Sequence, residues 1–235
     1  MSSLLTGLVA YYKLDESSGD AADSSGGGFT LTNNGSVVGG TALLGAASAD
    51  FGTTNTTKRL TSTTDHGITA TGAISLSFWV RMNTEIGADE QCLISRSFIN
   101  AAGTSIQINY QFNAGTRRIR FLRYGSANSL QYYTITLGTS SWTHIVVTFD
   151  GSTIKGYVNG VERTTEANSG TQSIGGTAFG IAANGTTQYA SCLIDEAGVW
   201  SKGLTASEVT ELNNGGAGLA YPFSTANTRA FFQFL

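Results

Sequence analysis

A chain of 235 residues with 30 glycines, one proline, only 12% charged residues and a formal net charge of -3 is long enough for one large β domain and describes many short strands joined by turns. The weak negative charge argues against generic nucleic-acid binding, and the longest weakly polar run, Val37 to Ala49, is broken by glycines and too short to span a membrane. The opening stretch MSSLLTGLVAYYKLDESS lacks the basic start and small-residue cleavage site of a signal peptide, so the expectation is a protein made in a cytoplasm and not exported by the general pathway.

In chain order, Leu8 to Leu14 predicts a first strand, followed by the polar loop DESSGDAADSSGGGF and short strands near Leu31, at Val37 to Val38 and at Ala46 to Phe51. Ala73 to Met82 predicts a core strand: Ile74, Leu76, Phe78 and Val80 share one face, while Ser75, Ser77, Trp79 and Arg81 share the other. One buried and one mixed face are expected there. Cys92 to Arg96, Ile106 to Phe112, Arg117 to Tyr124 and Gln131 to Leu137 continue the pattern, with Asn113-Ala114-Gly115 and Gly125-Ser126 as reversals. Cys92 and Cys192 are too few for a disulfide framework and are expected as buried free thiols, bridged only if their strand ends pair.

Residues 142 to 166, WTHIVVTFDGSTIKGYVNGVERTTE, spell three strands and two tight turns. Ile145, Val147 and Phe149 alternate with His144, Val146 and Thr148, and Asp150-Gly151 and Asn159-Gly160 supply the reversals. Strands at Ala178 to Ala182 and Cys192 to Trp200 follow. A helix is predicted from Ala206 to Asn213, with Thr205 as N-cap, Glu208 completing a capping box, Val209 and Leu212 facing the sheets, and Gly215 or Gly216 ending it in the left-handed conformation. Residues 1–223 read as one domain and 224–235 as a tail. Three phenylalanines and a leucine end that tail, so docking on its own domain or on a partner is expected.

The meander's W-x-H start, its D-G turn and the strand ending Y-V-N-G, together with LIDEAGVWSKGLTASEV at 193–209, resemble the laminin G-like, concanavalin A-like jelly rolls. The resemblance implies an all-β, antiparallel jelly-roll sandwich of two sheets with one short C-terminal helix. It also implies a structural Ca²⁺ held by Asp195 on the last core strand, with the loops around Asp15, Asp23 and Asp50 offering further oxygens. Relatives that cleave glycans place carboxylates at alternate positions of one strand; Glu85 to Glu90, EIGADE, lacks that alternation, and Asp195 and Glu196, being adjacent, are expected on opposite faces. His66 and His144 are the only histidines, and His144 within the meander reads as a packed residue. The chain is therefore expected not to be an enzyme.

Four arginines, Arg117, Arg118, Arg120 and Arg123, fall on one strand, with Tyr124, Tyr132 and Tyr133 on the same or the next. Guanidinium groups and aromatic rings suit sugars or acidic glycans, so Arg118, Arg120, Tyr124 and Tyr132 are the candidate ligand contacts. The leading reading is a non-catalytic structural or attachment module, such as a phage virion surface protein, partnered by other subunits of an assembly. A lectin-like module for cell-surface glycans is the alternative, and glycoside hydrolysis ranks last. The place is then a virion if the chain is phage-encoded, and otherwise the extracellular space or cell surface.

Overall fold

The computed structural model describes residues 2–64, 66–67, 72–87, 90–96, 106–123, 129–168, 179–184 and 187–223. Two antiparallel sheets pack face to face as a jelly-roll sandwich. The first sheet runs β13 (Val161–Ala167), β12 (Thr153–Val158), β11 (Thr143–Phe149), β6 (Ile74–Met82), β15 (Cys192–Trp200), β4 (Ser48–Asp50) and β3 (Val38–Gly40). β15 divides its free edge: Leu193 and Ile194 pair with β4, whereas Ala197 to Trp200 pair with β1 (Leu8–Tyr12). The second sheet runs β10 (Ser129–Thr134), β9 (Thr116–Arg123), β8 (Ile106–Asn113), β7 (Glu90–Arg96), β14 (Phe179–Ile181), β5 (Arg59–Ser62) and β2 (Thr32–Asn34).

The inward faces close one core that contains Leu76, Phe78, Ile145, Val147, Phe149 and Val199. Gly156 of β12 is bare for a packing reason: a Cβ there would come within 2.5 Å of the Phe121 ring of the opposite sheet. The meander turns form where expected, with Gly151, Asn159 and Gly160 at φ 104°, 51° and 77°. Helix α1 (Ala206–Asn213) carries the capping box of Thr205 and Glu208. It ends one residue before the glycines, because Asn214 itself takes the left-handed conformation at φ 47°, ψ 48°.

Three expectations need correction. β6 is buried on both faces, since a second apolar cluster covers the outside of the first sheet: Leu4, Tyr11 and Val146 meet Trp200, Val209 and Phe223 there. Its serines fit beneath that layer because they are satisfied. Ser75 donates to the Lys202 carbonyl and accepts from the Leu204 N–H. β5 was not anticipated, as RLTS carries one apolar side chain and becomes a strand only between β14 and β2. The strand expected to Leu137 stops at Thr134, and Leu137 is instead anchored by donating its N–H to the Tyr110 hydroxyl. Cys92 and Cys192 are buried and unbridged, and burial pushes both thiols up. The tail, residues 224–235, lies outside the described residues.

Candidate functional site

Strict alternation on β9 sends Ile119 and Phe121 into the core and leaves Arg118 and Arg120 on the outer face of the second sheet. Register then builds two rows across the strands. Tyr132, Arg120 and Asn109 stand side by side, as do Thr134, Arg118, Gln111 and Glu90. The Arg118 guanidinium lies 4.0 Å from the Tyr132 ring centroid and that of Arg120 5.7 Å from it. Arg118 Nε donates to Gln111 Oε1 at 2.9 Å, and Gln111 Nε2 donates to Glu90 Oε2 at 3.2 Å. Glu90 Oε1 accepts from both Arg120 and Asn109.

Arg118, Arg120 and Tyr132 are thus brought together as the sequence suggested, while Tyr124 lies outside the described residues. Arg123 is not part of the face. It turns inward, fully buried, with its guanidinium 3.9 Å from the Phe149 ring centroid and a bond to Asn168. Tyr133 likewise packs against the core. Arg117 reaches the other way, pairing with Glu85 at 2.9 Å.

Two side chains on this face retain hydrogen-bonding capacity although they are almost wholly buried. Gln107 and Asn109 are 2% and 1% exposed, and Gln107 Nε2 and Asn109 Oδ1 have no hydrogen-bond partner; neither does Arg120 Nε. Each such atom costs about 1–3 kcal/mol when left unmet. Tyr132, beside them, is 41% exposed. The face is a fixed polar lattice with an aromatic ring at its rim.

An open cleft of about 520 Å³ adjoins it, walled by three loops and lined by Thr53, Thr54, Thr84, Gln91, Gln188 and Tyr189, with Glu85 and Glu90 at its border. Asn55 holds the first loop, donating to the Lys58 and Ala190 carbonyls and accepting from the Thr57 and Lys58 N–H groups. Arg59 donates to the Tyr189 hydroxyl at 3.2 Å and orients the ring. Sequence reasoning missed this cleft because its walls come from loops far apart in the chain. The hydroxyl-rich TTNTT at 53–57 was its one local signal.

The acids proposed for Ca²⁺ are spent on N–H donors. Asp195 Oδ2 accepts from Leu43 at 2.8 Å and Leu44 at 3.2 Å, and its Oδ1 accepts from Glu196 at 2.9 Å. Asp15 accepts from Ala46 and Ala47, Asp23 from Tyr11, Ser25 and Phe29, and Asp50 from Gly52 and Asn83. The fit around the 41–47 loop is close: a Cβ on Gly45 would meet Asp15 Oδ1 at 2.1 Å. A calcium ion needs six to eight oxygens and is repelled by inward N–H groups. With their oxygens facing these donors, the carboxylates do not fit one; among the described residues no group of three or more His, Cys, Asp or Glu stands together.

Asp195 and Glu196 also depart from strict alternation. A bulge between Asp195 and Gly198, with Glu196 at φ 49°, turns both carboxyls to the outer side of the first sheet, where the Tyr11 hydroxyl donates to Glu196. Burial above all pushes each carboxyl up to about 7, with the Asp195 and Asp15 charges contributing at Glu196 and that of Asp15 at Asp195. His144 is buried against Trp79, its Nε2 2.8 Å from Ser77 Oγ, and desolvation pushes its pKa down to about 3. Its Nδ1 meets no acid, so the pair is packed structure and not a triad. His66 is equally enclosed, with its Nε2 3.0 Å from the Tyr12 hydroxyl.

The family model for the concanavalin A-like lectin/glucanases superfamily matches residues 51–210. No curated protein sequence matches the chain. Among solved structures, the binding domain of botulinum neurotoxin DC in complex with SialylT is 16% identical, with a TM-score of 0.70 over 90% of this chain and 52% of that one. The binding domain of Paraclostridial Mosquitocidal Protein 1 is 15% identical, with a TM-score of 0.71 over 90% and 53%. Domain 4 of AbnA, a GH43 extracellular arabinanase from Geobacillus stearothermophilus in complex with arabinotriose, is 22% identical, with a TM-score of 0.62 over 87% and 97%. The chain spans about half the length of the toxin domains it matches. These likenesses establish the fold.

Proposed function

From the premise that the chain belongs to the concanavalin A-like lectin/glucanase superfamily, we propose that it is a non-catalytic carbohydrate-binding module whose ligand lies on the outer face of the second sheet. The observation that carries this reading is the half-exposed Tyr132 ring, held by the Arg118 and Arg120 guanidinium groups on a face of ordered polar side chains, Asn109, Gln111 and Glu90. A sugar's ring face of C–H groups stacks on tyrosine and its hydroxyls both donate and accept, so a saccharide suits an exposed ring set among polar side chains. Arg118 and Arg120, fixed by Gln111 and Glu90, hold the ring in place. Two of the structural neighbours were solved with SialylT and with arabinotriose, which supports a saccharide on this fold.

The non-catalytic part rests on Glu90. A carboxylate that accepts from Arg120, Asn109 and Gln111 is a structural acceptor and not a free nucleophile or acid. Attachment is the biological sense of such a module, and adhesion through a glycan is what it would contribute to a virion or a cell surface. An assembly of subunits rested on the tail at 224–235 and has no other support in the described residues.

A glycan array tests the proposal. Saturable binding that is lost in the Arg118→Ala/Tyr132→Ala double variant, with melting temperature retained, is the expected result. A change in oligomer mass in that variant, without glycan binding by the parent, would assign the face to a subunit contact instead.

A further inference from the structure

The cleft beside Glu90 and the lattice beside Tyr132 share a wall, and that continuity bears on the size and charge of the ligand. We propose that the cleft is a second subsite, so that the module grips a neutral oligosaccharide chain running from Tyr132 over Glu90 to Tyr189. This rests on the glycan-binding reading above and goes beyond it.

Length is the first argument. Thr134, Arg118, Gln111 and Glu90 lie across four neighbouring strands, a span of about 14 Å at the usual inter-strand spacing. The cleft begins only where that row ends, since Glu90 both closes the row and borders the cleft. A single sugar ring at Tyr132 leaves the cleft untouched, whereas a chain several residues long reaches it.

Chemistry is the second. The cleft wall offers the hydroxyls of Thr53, Thr54 and Thr84, the amides of Gln91 and Gln188, and a tyrosine ring fixed from behind by Arg59. Oriented polar groups around an aromatic platform suit a polyhydroxylated ligand. Charge decides between neutral and acidic chains. No lysine or arginine lines the cleft among the described residues, while Glu85 and Glu90 do. Arg120 on the adjoining face and Arg117 on the opposite side of β9 are already paired with those two glutamates, and Arg118, which donates to the Gln111 amide, stands at the far, Tyr132 end. An acidic group carried into the cleft would therefore be repelled by two carboxylates whose cations are engaged, with Arg118 too far along the row to offset them there, whereas a neutral chain meets no such repulsion.

The test is isothermal titration calorimetry with arabino-, xylo- and malto-oligosaccharides from dimer to hexamer, and sialyllactose as the acidic control. On the full chain, affinity for one neutral ladder should rise at least tenfold from dimer to tetramer. Tyr189→Ala should abolish that rise and leave dimer affinity within twofold, and Tyr189→Phe, which keeps the ring, should retain it. Tyr132→Ala should weaken every length. A rise that persists in Tyr189→Ala, equal affinity for all lengths, or tighter binding of sialyllactose overturns the second subsite while sparing the glycan reading. Binding of no sugar at all overturns both.

Discussion

Asp195 and Glu196 show how far one residue's environment departs from its type. Both carboxyls are drawn out of water on the same side of β15, and both hold protons that the unfolded chain would release above about pH 4. The native state therefore binds more protons than the unfolded state between about pH 4 and 7, and their contribution to stability falls as pH rises through that window. His144 acts in the opposite sense, being neutral when folded and protonated when unfolded below about 6.5. The informative measurement is consequently a difference: the melting temperature of Asp195→Asn/Glu196→Gln relative to the parent should climb from pH 4 to 7 and level off above. A flat difference would show that the bulge leaves these groups hydrated. From sequence, neighbours on a strand point apart, and it is the backbone excursion at Glu196 that defeats the rule. Arg118 and Arg120 were legible because their strand is regular there, whereas Arg123 obeys the same alternation in the other direction and goes inside.

Elements were legible where local chemistry and burial agree. β15 and α1 carry their boundaries in the chain itself: Cys192 to Trp200 is unbroken, and Thr205 with Glu208 is a reciprocal cap. Thr205→Ala should cost about 1 kcal/mol of stability, the usual loss when an N-cap hydroxyl is removed; an unchanged unfolding midpoint would mean that Glu208, also held by Lys202, caps the helix alone. β5 was illegible for the converse reason. Its residues are polar and few, and pairing in a sheet of distant partners decides its state. The cleft behaves alike, since loops 53–56, 84–87 and 188–191 meet only in three dimensions. The two segments that carried the family resemblance, 142–166 and 193–209, both fall within the matched span, and their strands belong to one sheet, on either side of β6.

At the scale of the whole molecule, the loop at 41–47 is fastened by Asp15 and Asp195 through backbone N–H groups, an arrangement that is complete without a cation. Exhaustive chelation should leave the melting temperature unchanged, because an ion that stabilises only the native state would lower it on removal. A clear fall on chelation, reversed by Ca²⁺, would place a metal outside the described carboxylates.

The divided edge of β15 has a kinetic consequence. β1 pairs with residues 197 to 200, and the Trp200 indole donates to the Leu4 carbonyl, so the strand and its partner are made nearly two hundred residues apart. Contacts of such separation close a very long loop, and its entropy is lost before any pairing repays it. During synthesis β1 must wait, with Tyr11 and Tyr12 uncovered, while nearly two hundred residues are added. The interval in which this molecule is vulnerable to mispairing is thus set by translation speed, and holding that strand apart until β15 has emerged falls to whatever escorts the nascent chain.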